Sequence, residues 1–211
     1  MDKKVRDRTL DELSVRKKEF LKICDILDGI GINFFLQTGV LLGAIRERNF
    51  VKWDWGVDIS VFSDDLIGKI EILKKILKNN GFEILNTEKK KNDIKIFFKG
   101  IKPLEATGYT IFGWNYSKTK NIYWRGNYSV PSKFLNHFSK VELFGRKFNC
   151  PSPPKEYLTY AYGDWKKPLR TADKNLYNAS GYFNKRKYFI KNLKINIKRK
   201  IYFIFNKLIK I

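Results

Sequence analysis

Two acids four residues apart, Asp54 and Asp58, stand where a loop enters a short apolar strand in the stretch FFLQTGVLLGAIRERNFVKWDWGVDISVF, residues 34 to 62. Strand side chains alternate between faces, so Gly56 and Asp58 point one way while Val57 and Ile59 enter a core. A carboxylate at the end of a buried strand is costly unless a cation or a hydrogen-bond network compensates it. Just upstream, Gln37-Thr38-Gly39 closes the apolar run Phe34 to Leu36, and a glycine there permits a sharp turn and lets a ligand approach bare backbone. Val40, Leu41, Ala44 and Ile45 then recur at helical spacing. A helix beginning after Thr38-Gly39 would aim its unpaired N–H groups and positive dipole end at whatever sits beside the turn, and a phosphate is the natural occupant.

The segment TGVLLGAIRERNFVKWDWGVDIS resembles the motif of the LicD and fukutin-type family, usually close to GGTLLGAVRxxGFIPWDDDIDI, within the nucleotidyltransferase superfamily of DNA polymerase beta. Thr38, Gly39, Leu41, Leu42, Gly43, Ala44, Ile45, Arg46, Phe50, Trp53, Asp54, Asp58 and Ile59 fall on matching or closely similar positions without a gap. A second stretch, VELFGRKFNCPSPPKEYLTYAYGDWKKP, resembles the later part of such proteins, in which a hairpin, a proline-containing link and a YGDW-like turn recur.

The resemblance implies a Mg²⁺- or Mn²⁺-dependent phosphotransferase that moves a phosphorylated alcohol, such as phosphocholine, from a CDP-alcohol donor to a hydroxyl of a cell-surface glycan or glycolipid acceptor. Asp54 and Asp58 become the expected catalytic pair and metal ligands. Thr38, Gly39, Gly43 and Arg46 become the expected donor-phosphate site, with Arg46 pairing the phosphate or bracing the acidic loop. Glu105 lies about where the superfamily places a further acid; a surface glutamate is the competing reading. The family usually carries three carboxylates at alternate positions, whereas here they read Asp54, Gly56, Asp58, and Trp55 stands where an acid is common. Either Asp54 takes the missing place, or metal binds weakly, or the chain is a scaffold that keeps the fold without the reaction.

The 211 residues suffice for one domain with a real core, and 43% apolar with 16% aromatic residues excludes a disordered chain. Lys plus Arg number 43 against 21 acids, a formal net charge of +22, which suits a polyanionic partner or a lysine-rich proteome. Cys24 and Cys150 are too few for a disulfide framework or a zinc site and fit a reduced setting. The opening MDKKVRDRTLDEL has no apolar core of a secretory signal, and no apolar run reaches membrane-spanning length. His137, the sole histidine, reads as a surface or structural residue.

The pattern predicts an α+β fold, a mixed sheet flanked by helices, over residues 1–183. Thr9-x-x-Glu12 is a capping box opening a helix that Gly29 and Gly31 close. Ser63-Asp64-Asp65 is expected to cap one further helix running to Asn80-Gly81. Strands are expected at Phe82 to Leu85 and Ile94 to Phe98, around a solvated turn Glu88 to Asn92. Trp114, Tyr116, Tyr123, Trp124 and Tyr128 form either a platform for sugars and bases or core packing. Val141 to Asn149 reads as a hairpin turned at Gly145, and Lys155 to Tyr162 as a helix ended by Gly163, with Asp164 a turn residue.

Residues 184–211 differ in kind: ten basic residues and no acid, with Ile190, Leu193, Ile197, Ile201, Ile204, Phe205 and Leu208 along one side of a helix. A basic amphipathic helix suits anionic lipid headgroups, and the apolar stripe favours lipid over nucleic acid; packing on the domain is the structural alternative. A protein held at the inner face of the cell membrane, in the cytoplasm, is the expectation.

Overall fold

The computed structural model describes residues 5–90, 93–101, 107–171, 173–179 and 181–184. Glu105 and the tail beyond Asn184, both singled out in the sequence, lie outside the described residues.

Helix α1 (Leu10–Gly29) starts as its capping box predicts: Thr9 Oγ1 accepts from the Glu12 N–H (3.2 Å) and Glu12 Oε2 accepts from the Thr9 N–H (2.8 Å). Its buried face carries Leu13, Phe20, Ile23, Cys24 and Leu27 into the core, where Phe20 meets Phe50, Phe144 and Phe148, and the chain leaves through Gly31 at φ +67°. Strand β1 (Phe34–Leu36) follows, then α2 (Thr38–Arg46), a loop, and β2 (Gly56–Phe62). In β2 the apolar residues Val57, Ile59 and Val61 are fully buried, while Gly56 and Asp58 are half-buried on the opposite face, as strand alternation requires.

The stretch after β2 is two helices rather than one, α3 (Ser63–Ile67) and α4 (Ile70–Asn79), broken at Gly68-Lys69. Ser63 is inside α3 rather than capping it, and it packs onto Gly113, where a Cβ would stand 2.5 Å from Ser63 Oγ. Lys69, between the two helices at φ −115° and ψ 3°, donates through Nζ to the Gly31 carbonyl at 2.7 Å.

Strands β3 (Glu83–Lys90) and β4 (Asp93–Lys99) are longer than expected, because Glu88 and Lys89 continue the antiparallel ladder opposite Lys95 and Ile94 instead of forming a turn. Strand β5 (Gly108–Ser117) joins the halves, antiparallel to β4 and parallel to β2, giving the sheet order β1-β2-β5-β4-β3. Its far end pairs with β6 (Ile122–Arg125), which turns into β7 (Tyr128–Pro131). Strands β8 (Phe138–Leu143) and β9 (Arg146–Pro151) form the expected hairpin, turned at Phe144 and Gly145, both at positive φ. Helix α5 (Pro154–Tyr162) ends at Gly163, φ +71°, and a short α6 (Lys174–Tyr177) closes the described chain. The architecture is α+β, a mixed sheet flanked by helices.

Candidate active site

A cleft of about 1150 Å³ opens where the start of α2, the end of the 47–55 loop and the first residues of β2 and β5 converge. Thr38, Gly39, Arg46, Asp54, Gly56 and Asp58 all line it. Gly43 does not: one turn on from Gly39 it is closed over by the 47–55 loop, where a Cβ would strike the backbone of Asn49 and stand 3.0 Å from Val51 N. It seats the loop that delivers Asp54.

Asp54 is held by backbone as much as by side chain. Arg16 Nη1 and Arg8 Nε donate to its main-chain carbonyl at 3.1 and 3.4 Å, and its N–H reaches the Val51 carbonyl at 3.0 Å. Its carboxylate lies against the first turn of α2, where a Cβ on Gly39 would land on Oδ2. Only glycine fits there, so the expected close approach of a ligand to Gly39 is in part an approach by this acid. Thr38, one residue earlier, holds φ +51°, a left-handed conformation that β-branched residues rarely adopt.

Asp58 pairs in register with Thr110 across the parallel β2–β5 ladder. Burial raises its pKa; the nearby cations Arg125, Lys174 and Lys95 and the Thr110 hydroxyl oppose that rise. Burial together with the charge of Asp58 pushes Asp54 up to about 6, against the pull of Arg16 and of the Gly56 and Trp55 N–H groups. Two carboxylates thus share the cleft floor and repel one another. Both present hard oxygen donors that a divalent cation could bind, and such an ion commonly takes one or two protein carboxylates and fills its remaining positions with phosphate and water. Among the described residues no third acid completes a metal cluster with them. Gly56 offers little room for one, since a Cβ there would stand 2.7 Å from the Gly108 carbonyl.

Arg46 spends its donors on protein: Nη2 and Nε reach Glu47 Oε1 at 2.7 and 3.2 Å, and Nη1 reaches the Trp165 carbonyl at 3.1 Å. It ties α2 to the turn after α5. That turn and its continuation form the far wall of the cleft through Tyr162, Asp164, Trp165, Lys167, Lys174 and Tyr177. Asp164 is a turn residue paired with Lys167 at 3.2 Å, and it also stands at the rim. Burial raises the Tyr162 and Tyr177 phenols well above their usual value, so both remain protonated donors beside the acids.

Of the central aromatics, Trp114 is core, donating Nε1 to Ser60 Oγ at 3.2 Å, and Tyr116 packs on Tyr123 with ring centroids 5.0 Å apart. Tyr128 alone of that group reaches the cleft, whose aromatic lining comes mainly from Trp53, Trp55, Tyr162, Trp165 and Tyr177. Thr110, Arg125, Tyr162, Lys174 and Tyr177 were not indicated by the sequence pattern. For Arg125 and Tyr128 a signal existed, the turn-forming Gly-Asn between them.

The model of the domain described as LicD/FKTN/FKRP, nucleotidyltransferase domain, matches residues 31–153, from the strand before α2 to the link before α5. The chain belongs to the LicD/FKTN/FKRP family. Among curated relatives, human Ribitol-5-phosphate transferase FKTN is 26% identical over 179 residues, covering 79% of this chain and 37% of that protein. Mouse Ribitol 5-phosphate transferase FKRP is 21% identical over 148 residues, covering 67% of this chain and 30% of that protein. This LicD/FKTN/FKRP chain therefore spans about a third of the length of the curated relatives it matches. A solved structure from Thermotoga maritima, described as a nucleotidyltransferase, aligns with a TM-score of 0.43 at 15% identity, over 75% of this chain and 88% of that one.

Proposed function

We propose that this chain is a Mg²⁺- or Mn²⁺-dependent transferase that moves a phosphorylated alcohol from a CDP-activated donor to a hydroxyl of a glycan. The observation that carries the reading is the pair Asp54 and Asp58 beside the start of α2, on the floor of a cation-lined cleft. Family membership and the names of the relatives, ribitol 5-phosphate transferases, support a sugar alcohol phosphate, and phosphocholine is the smaller alternative. Capsule, lipopolysaccharide and teichoic acid are the acceptor classes this reading includes.

In the proposed reaction the acceptor oxygen bonds to the phosphorus that carries the alcohol, the bond from that phosphorus to the bridging oxygen breaks, and CMP departs with the electron pair. Asp54 and Asp58 would hold the divalent cation, which when bound neutralises donor phosphate charge and lowers the cost of the departing oxyanion. If Asp58 holds the ion without it, Asp54 is instead the base that accepts the acceptor hydroxyl's proton. The backbone of Thr38 and Gly39, at the positive end of α2, would bind phosphate oxygens beside the Asp54 carboxylate. The protonated Tyr162 and Tyr177 phenols can orient donor or acceptor oxygens from the opposite wall.

Release of CMP from CDP-ribitol and from CDP-choline, with and without Mg²⁺, tests the reading. Asp58→Asn should reduce turnover at least ~100-fold, the scale seen when a group that stabilises transition-state charge is removed. Near-normal turnover in that variant would overturn the assignment of Asp58. The scaffold reading is favoured by one observation, the space beside Gly56 filled by the Gly108 carbonyl. It predicts no Mg²⁺ binding at millimolar concentration. The crowding also means that Gly56→Asp alone would strain β2 rather than cleanly restore a ligand.

The basic segment beyond Asn184 extends this proposal to an anionic membrane surface, where a glycolipid acceptor would be presented. Among the described residues, no helix is long and apolar enough to cross a membrane.

A further inference from the structure

Arg125 is only 4% exposed, yet it lines the cleft. A two-residue turn, with Gly126 at φ +50°, makes Arg125 and Tyr128 the last facing pair of the β6–β7 hairpin. The guanidinium carbon stands 3.8 Å from the centre of the Phe112 ring, 4.6 Å from Tyr128 and 5.0 Å from Trp114. Three aromatic faces fix the plane of the fork and satisfy none of its N–H donors in the strong sense. Among the described residues Arg125 forms no salt bridge, and its buried Nε has no hydrogen-bond partner. Asp58 shares the cleft with it and makes no ion pair with it within 4.0 Å among the described residues, so its charge acts on Arg125 only at longer range and takes up none of the fork's N–H donors. Arg46 contrasts with it, since its donors are taken up by Glu47 and Trp165.

A guanidinium is costly to bury unless its donors find oxygen acceptors, and its planar fork matches two oxygens of one phosphate. The rigid hairpin and the aromatic slot prearrange it for such a partner, with little side-chain freedom left to lose on binding. We infer that Arg125 is a phosphate-binding residue, whose fork engages non-bridging oxygens of a pyrophosphate group lying between it and the Asp54–Asp58 floor. This rests on the proposed function for the identity of the donor, but the chemistry it names, a diphosphate, is testable without any nucleotide. Lys174, exposed on the cleft wall, is a second cation available to the same group.

The test is calorimetric titration of the full chain with inorganic pyrophosphate in MgCl₂, and with MgCl₂ alone, for the native protein, Arg125→Lys and Arg125→Gln, with a thermal melt of each. The expected result is a loss of pyrophosphate affinity of roughly 100-fold in Arg125→Gln and roughly tenfold in Arg125→Lys, where the charge is kept and the fork lost, with Mg²⁺ affinity undiminished. If Arg125→Gln fails to fold, the lysine variant decides by the same criterion. Native pyrophosphate affinity in a folded Arg125 variant, or no binding by the native protein, overturns the proposal. Tighter Mg²⁺ binding in the variants with pyrophosphate affinity unchanged does so too, and makes Arg125 a partner of Asp58 instead. Pyrophosphate binding that depends on Arg125, with no release of CMP from any CDP-alcohol, sustains this inference and sinks the transferase reading. Release of CMP indifferent to Arg125 does the reverse.

Discussion

Gly39 and Arg16 govern where Asp54 sits, one from each side of the acid. A methyl group on Gly39 would displace the carboxylate from the first turn of α2. Gly39→Ala should therefore lower Mg²⁺ affinity at least tenfold, and the forced rearrangement should cost about 1–3 kcal/mol, read by calorimetry and a urea melt. Arg16, 1% exposed, holds the Asp54 carbonyl at 3.1 Å and Thr107 Oγ1 at 3.3 Å. Arg16→Met removes both bonds, and a loss of about 2–3 kcal/mol in urea unfolding is expected, with the remaining grip on that carbonyl left to Arg8. At this scale the acids were legible, because a charged residue in an apolar alternating run is conspicuous. Their supports were not. Thr110 meets Asp58 only through the register of a parallel pair, and Arg16 meets Asp54 only because α1 crosses behind the loop.

Helix α1 shows how an element titrates. Burial works against ionisation of Glu12, but the hydrogen bond from Arg6 outweighs it and, with the Thr9 N–H, holds its pKa down to about 2. A carboxyl depressed on folding contributes stability that is fully present above its unfolded value of about 4.5 and is lost as pH falls toward 2. Glu12→Gln should thus be destabilised relative to the native protein at pH 7, with the gap closing between pH 4.5 and 2. Paired thermal melts across that range check it, and a gap independent of pH would refute the electrostatic origin. The capping box, the β8–β9 hairpin and α5 were readable from short-range patterns, since each is closed by residues a few positions apart. The break at Gly68-Lys69 was not, because the apolar helical spacing runs on through Leu66, Ile70 and Leu73 without interruption. The extension of β3 was hidden for a similar reason: Glu88 and Lys89 look like turn residues until their ladder partners are known.

For the molecule as a whole, the formal charge of +22 and the ten basic residues after position 184 favour contact with anionic surfaces. The full chain should co-sediment with phosphatidylserine vesicles at low salt and be released as salt rises, while a chain ending at Asn184 should remain in solution. Retention of binding by the shortened chain would assign the contact to the folded domain. The fold class was legible because the alternation of apolar helical and strand periods survives along the chain, and the family motif marked where the sheet carries its acids. The far wall of the cleft was not, since Tyr162 to Tyr177 reach the acids by folding back across α2 through Arg46 and Trp165. That wall also bears on the fate of the transferred group. The acids belong to the first third of the polypeptide and the wall facing them to the last, so a chain cleaved after α5 would keep the floor and lose most of that wall. In the proposed reaction such a species is expected to let water compete with the acceptor hydroxyl for the phosphorylated alcohol, so that release of free alcohol phosphate would rise as transfer falls.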